Sequence, residues 1–155
     1  MPVKKLKEFL DSNKVKYITI SHSATYTAQE IAALTKIPGK ELAKTVMVKL
    51  NDKMAMAILP ASYKVNFNYL KKAAGVKKVE LATEKEFKEM FPECDTGAMP
   101  PFGNLYNLDV YSTESLAEDE EITFSAGTHT ELIRMAYKDF ERLVKPKVIK
   151  FSTRT

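Results

Sequence analysis

Residues 43–50 and 54–59 form two apolar, β-prone runs flanking Asn51-Asp52-Lys53. A short polar turn between two such runs is a strong local signal for an antiparallel hairpin. Side chains alternate along a strand, so Lys44, Val46, Val48 and Leu50 share one face, and Thr45, Met47 and Lys49 the other. Lys44 therefore lies on the more apolar face. Two readings stay open from pattern alone. A lysine at a strand end can snorkel to solvent. Alternatively, an ammonium at an apolar rim is costly unless it meets a partner or an anionic ligand.

The rest of the chain alternates around this hairpin. Val3, Leu6, Phe9 and Leu10 recur at helical spacing, which predicts a helix over residues 3–11. A strand is expected over 15–20. After a polar connection, Thr27 and Glu30 form a capping-box pattern that opens a helix to about residue 36. Residues 66–74, closed by Gly75, read as a helix with Phe67, Leu70 and Ala74 inward. A short strand covers 79–81. Thr83 and Glu86 repeat the capping box before a helix that stops ahead of Pro92. Strands are expected over 105–111, 122–125, 132–135 and 148–151, with a helix over 139–144. Glu118, Asp119, Glu120 and Glu121 read as a solvated acidic turn. Several connections are too short for parallel crossovers. The expected fold is α+β (mixed α/β): one domain over residues 1–155, with a mixed, largely antiparallel sheet and flanking helices.

Residues 96–103, Thr-Gly-Ala-Met-Pro-Pro-Phe-Gly, form the most distinctive loop. Gly97 and Gly103 permit backbone angles closed to other residues. Pro100 and Pro101 fix φ and remove two donors, so the segment is stiff and cannot be a central strand. Free N–H groups at Gly97, Ala98 and Met99 would make a cradle for an anion or a carbonyl oxygen. The same composition also suits a plain structural turn.

Composition narrows the chemistry. The chain has 155 residues and a net charge of +4, a mild bias towards polyanions. Lysines recur at Lys71, Lys72, Lys77 and Lys78, and again at Lys145, Lys147 and Lys150, and read as a solvated face. No run approaches the ~18 apolar residues of a membrane helix. The one cysteine, Cys94, rules out an internal disulfide framework and fits a reducing, cytoplasmic setting. No cysteine motif surrounds it. His22, His129 and Cys94 lack zinc spacing. There is no phosphate-binding glycine loop, no nucleophile elbow and no paired carboxylates for sugar chemistry. An enzyme built this way needs a bond that is already reactive. Its work is to position water and stabilise an oxyanion.

Five segments in register resemble the YbaK/prolyl-tRNA synthetase editing-domain family of aminoacyl-tRNA deacylases. They are His22 with Tyr26 and Thr27; Ala43-Lys44-Thr45-Val46; Leu59-Pro60-Ala61; Gly97-Ala98-Met99-Pro100-Pro101-Phe102-Gly103; and Ser125-Ala126-Gly127-Thr128-His129. They cover about residues 15–150. The resemblance implies a partly barrel-like α/β domain that hydrolyses the ester joining a wrong amino acid to the 3′ end of a tRNA, without metal or cofactor. The implied partner is a mischarged aminoacyl-tRNA; with +4 spread over a small domain, docking to an aminoacyl-tRNA synthetase is a further expectation. Lys44 would hold the terminal phosphate, and the Gly-x-x-x-Pro loop would shape the aminoacyl pocket, with Met99 and Pro100 setting its size. His129 is a candidate base. His22 is a candidate pocket wall, and Tyr26 a candidate platform for the terminal adenine. Thr113 stands where relatives often carry Asp, and Glu131 is the nearest acid after the Ser125 segment. Two other functions fit the residues: a non-catalytic RNA-binding module of the same fold, and an esterase for small acyl esters.

Overall fold

The computed structural model describes residues 4–23, 30, 39–95 and 97–154. The expected helix near 27–36 lies outside them apart from Glu30, which is helical, as do Tyr26, Thr27 and Thr96.

The hairpin forms as its sequence dictates. Strand β2 (Ala43–Leu50) pairs antiparallel with β3 (Lys53–Pro60), with Lys44 opposite Leu59 and Leu50 opposite Lys53. Asn51 and Asp52 both take positive φ, 51° and 70°, the backbone of a two-residue turn whose twist matches the strands. Around it grows a five-stranded sheet in the order β5 (Val79–Leu81), β2, β3, β6 (Asp109–Thr113), β9 (Lys147–Ile149). The β3–β6 and β6–β9 pairs are parallel. A three-stranded antiparallel sheet is ordered β1 (Tyr17–Ser21), β8 (Glu131–Ala136), β7 (Glu121–Ser125). A ribbon joins β4 (Tyr63–Val65) to β10 (Ser152–Arg154). The two larger sheets touch through one isolated parallel bridge, Leu42 to Thr123, without closing into a barrel.

The main core lies between these sheets. Ala43, Met47, Met56 and Ile58 meet Ile122, Phe124, Ile133 and Met135 there, and helices α1 (Lys4–Ser12) and α5 (Tyr137–Val144) add Leu6, Leu10 and Phe140. A second core lies on the other face of the five-stranded sheet. Val48, Leu50, Ala57 and Leu59 pack there on Leu70 of α2 (Phe67–Ala74) and on Phe151.

Local signals placed most of these elements. Asn66 caps α2 by accepting from the Tyr69 N–H, and Gly75 closes it in the left-handed region at φ 68°. The Thr83–Glu86 capping box is formed at the start of α3 (Glu84–Phe87). Four expectations are corrected. Phe67 is 39% exposed, because Leu70 alone carries the buried stripe of α2. Residues 105–111 do not form one strand. A 3-10 turn over Gly103–Tyr106 ends at Asn107, whose φ of 57° breaks any strand, and β6 starts only at Asp109. Asp119 is buried rather than solvated, with Lys40 at 3.4 Å. Glu121 belongs to β7. The short helix α4 (Glu114–Ala117) and strand β4 had no sequence signal of their own.

Glu86 has a second task besides capping. Its carboxylate accepts from Lys49 Nζ at 2.5 Å and from the Thr83 N–H at 2.8 Å. The lysine bond first, then the two Thr83 contacts, hold its pKa down from 4.5 to about 2. A depressed carboxylate stabilises the fold above its unfolded pKa and loses that contribution as pH falls through the folded one. The α3 cap should therefore persist at pH 4 and fail between about 4 and 2. In Lys49→Met the Glu86 titration, followed by NMR, should move up towards 4.5. An unmoved midpoint would show that Lys49 does not set it.

Candidate active site

Two loops meet at the mouth of the main core. The Asp95 N–H donates to the Gly127 carbonyl at 2.8 Å, and the Gly127 N–H donates to the Ala98 carbonyl at 2.9 Å. The Asp95 carboxylate accepts from the His129 N–H at 3.0 Å. These bonds clamp residues 95–98 to residues 127–129. The strand pair β7–β8 projects the second loop, and the Ala126 N–H donates to the Glu131 carbonyl across its base at 3.0 Å. His22 joins from the end of β1, its N–H on the Thr130 carbonyl at 2.8 Å. Its Nδ1 lies 2.8 Å from the Ser23 carbonyl, a contact in which the ring N–H donates.

Gly97 sits at the centre of this cluster with φ 87°, an angle that only glycine holds without strain. A side chain starting there would lie 3.8 Å from His129 Cε1, so the imidazole covers the exposed side of Gly97. The imidazole makes no hydrogen bond of its own among the described residues and faces solvent.

The cradle of three free N–H groups needs correction. The Ala98 N–H is used in the turn, on the Asp95 carbonyl at 3.0 Å. The Gly97 N–H meets Met99 Sδ at 3.3 Å, a weak acceptor. The Met99 N–H has no partner among the described residues. Among the described residues, the Gly97 and Met99 N–H groups are the loop donors without a strong acceptor.

The loop's side chains are also not where a simple pocket lining would put them. Ala98, Met99, Pro100, Pro101, Phe102 and Gly103 are all buried. Phe102 is fully enclosed, its ring 5.5 Å from Phe124, 5.6 Å from Phe140 and 6.1 Å from Phe9. A Cβ at Gly103 would fall 2.5 Å from Val110 Cγ2 and 2.8 Å from the Leu108 carbonyl oxygen. Phe102 and Gly103 therefore anchor the loop, and only Gly97 stands in the open. Ser125 and Thr128 are half-buried beside it, and Gly127 is buried.

Lys44 reaches the same end of the molecule by another route. Two residues beyond the Leu42–Thr123 bridge, the same-face positions on the two strands are Lys44 and Ser125. Thr45, half-buried, points to the opposite face of β2. Lys44 is half-buried and makes no ion pair among the described residues. Burial first, and then the charge of Lys64, push its pKa below 10.5. This is the signature of a desolvated cation short of an anion.

Other residues resolve against chemistry. Cys94 is half-buried near the Tyr106 hydroxyl, and burial pushes its thiol pKa up, the reverse of an activated nucleophile. Thr113 is buried and bonds Ser115 Oγ at 3.0 Å. Glu131 is buried at the start of β8, opposite Ser21. Among the described residues no group of three or more His, Cys, Asp and Glu could hold a metal. No helix there is long and apolar enough to cross a membrane.

Asp95 escaped the sequence reading, although an Asp ahead of Thr-Gly is a common turn former. Asp95→Ala should free the second loop while leaving the core intact. The His129 amide should exchange at least about tenfold faster, with a stability loss of about 1 kcal/mol for one exposed charge-assisted bond. An unchanged His129 exchange rate would show that the clamp lies elsewhere.

The chain is similar to known proteins. The family model described as the aminoacyl-tRNA editing domain matches residues 22–143. Proline–tRNA ligases of Bacillus cereus and Bacillus mycoides are 25% identical over 89 residues, a match covering 57% of this chain but 16% of each ligase. The crystal structure of a hypothetical protein superposes with TM-score 0.85 at 22% identity, covering 97% of this chain and all of the other. A proposed trans-editing enzyme for prolyl tRNA synthetase gives 0.83 at 19% identity, covering 97% of this chain and 96% of the other. At these identities the structures speak for the fold.

Proposed function

Because the chain belongs to the aminoacyl-tRNA editing domain family, we propose that it is a trans-acting deacylase that hydrolyses mischarged aminoacyl-tRNA and so guards translation. The observation that carries the reading is a half-buried Lys44 without an ion-pair partner among the described residues, at the same end of the sheets as the clamped Gly97 and His129 loops. An aminoacyl ester is activated, so neither a metal nor a nucleophilic side chain is required. Lys44 takes the terminal phosphate of the RNA as its missing counter-charge. The Gly97 and Met99 N–H groups face the carbonyl oxygen as it becomes an oxyanion. Water held by His129 attacks the carbonyl carbon, the bond to the ribose oxygen breaks, and the proton taken from water ends on that oxygen. The free amino acid and an intact tRNA leave. His22, Ser125, Gly127 and Thr128 frame the substrate, with Tyr26 as a platform for the terminal base.

One domain over residues 1–155, a cytoplasmic setting and docking to a synthetase go with this reading; the neighbour described as a trans-editing enzyme for prolyl tRNA synthetase supports the last of these. Comparing a mischarged tRNA with a small aminoacyl ester lacking RNA tests the substrate class. Turnover of the tRNA should fall as salt rises, because phosphate contacts release counterions. Equal turnover of the small ester with no salt dependence would favour a plain esterase. RNA binding without turnover would favour a non-catalytic module.

A further inference from the structure

The net charge of +4 conceals a strong segregation. Residues 53–79 contain no Asp or Glu but carry Lys53, Lys64, Lys71, Lys72, Lys77 and Lys78. Residues 142–155 contain no acid either and carry Arg142, Lys145, Lys147, Lys150 and Arg154. Together they hold 11 of the 24 Lys and Arg residues and none of the 20 Asp and Glu, so the remainder of the chain is net negative.

The fold joins these two stretches. Strand β4 pairs with β10, Lys64 opposite Thr153, and the Asn66 N–H bonds the Phe151 carbonyl at 2.6 Å. Leu70 and Phe151 share the core beneath, which turns the other side of α2 outward next to Lys150. Tyr69, Lys72, Ala73 and Lys150 line one open hollow, and Lys72 continues into a second with Lys71 and Asn68. Phe67 and Tyr69 stand 39% and 43% exposed on the same helix. Some lysines are paired: Lys53 with Asp109, Lys78 with Glu80, and Lys49 with Glu80 and Glu86. Lys64, Lys71, Lys72 and Lys150 make no ion pair among the described residues. The patch also runs into the candidate site, since Lys64 is close enough for its charge to act on Lys44.

We propose that the face formed by β4, α2 and β10 is the surface on which the RNA stem of the substrate lies, with Lys64, Lys71, Lys72 and Lys150 on its phosphates and Tyr69 against a sugar or base. This rests on the reading of the substrate as an aminoacyl-tRNA. Lysines without local counter-ions interleaved with exposed aromatics suit a polyanion that has stackable faces. Lys64 carries the track from the stem to the terminal phosphate at Lys44.

Binding of uncharged tRNA, measured by fluorescence anisotropy over a salt series, tests the surface apart from catalysis. Lys71→Glu with Lys72→Glu should weaken binding at least about tenfold and lower the log–log salt slope by about 2, one for each phosphate that no longer meets a lysine. Lys7→Glu with Lys138→Glu makes the same change of net charge on exposed positions outside the patch, and should weaken binding less than about threefold. Lys71→Gln with Lys72→Gln, gentler on the helix, should reproduce the lowered slope. Turnover of a small aminoacyl ester should be unchanged in all three. Equal weakening by the two Glu pairs, or no weakening by either, would overturn the proposal even if the protein proves to be a deacylase. Capture by vesicles containing phosphatidylserine, with no affinity for tRNA, would overturn it in favour of a membrane surface. If wild type binds tRNA through this face but releases no amino acid, the surface stands and the deacylase reading falls.

Discussion

Lys44→Met should lose most deacylase activity and none of its stability. A charge-assisted contact to a phosphate contributes about 1.5–3 kcal/mol, which corresponds to roughly 10- to 150-fold in kcat/KM. The same side chain is a burden to the free protein. It is partly desolvated, sits near Lys64, and has no carboxylate against it among the described residues. Its folded pKa lies below the unfolded value, so between the two the unfolded chain binds more protons. The Lys44 contribution to stability therefore rises with pH through that alkaline window, up to the ordinary value of 10.5. Methionine keeps the stem and removes the charge, and with it that part of the pH slope. Loss of activity with unchanged or improved stability would identify a functional lysine. A parallel fall in melting temperature would mean that Lys44 is structural.

The second large effect is on folding. Phe102→Ala should cost about 3–5 kcal/mol, because a fully enclosed ring is replaced by a cavity among Phe9, Phe124 and Phe140. For a chain of this length that is a fall of roughly 10–15 °C in melting temperature. Phe102→Leu refills much of the space and should lose less than half as much. Equal losses would mean that ring contacts, not volume, hold the loop. Either variant should slow turnover chiefly through population of the folded state, since Phe102 reaches no ligand directly.

The elements legible in the sequence are those whose cause is local. Asn51 and Asp52 fix their turn by their own tolerance of positive φ, and Thr83 with Glu86 closes its capping box within four residues. Lys44 was legible as a cation on an apolar strand face because alternation alone decides the face. What escaped depends on distant partners. Residues 105–111 have strand composition, but Asn107 turns left-handed and Gly103 packs against the Leu108 backbone. Asp119 reads as solvated in an acidic run, yet packing closes over it. In the candidate site, the rigid loop and the histidines were visible as residue types. The clamp was not, since Asp95 and His129 lie 34 residues apart and meet only when β7 and β8 carry the second loop to the first. The same holds for Phe102, whose place in the motif suggests a ligand contact and whose burial assigns it to the core.

The most direct test of the central claim is amino acid release. The protein would be incubated with tRNA-Pro charged with Ala, Cys or Pro, and with tRNA-Thr or tRNA-Ala charged with Ser, against the spontaneous loss of each ester. A deacylase of this kind should release one wrong amino acid rapidly and spare the correctly charged tRNA, with Lys44→Met nearly inactive. Release at the spontaneous rate from every pair, by a protein that still binds tRNA, would contradict it.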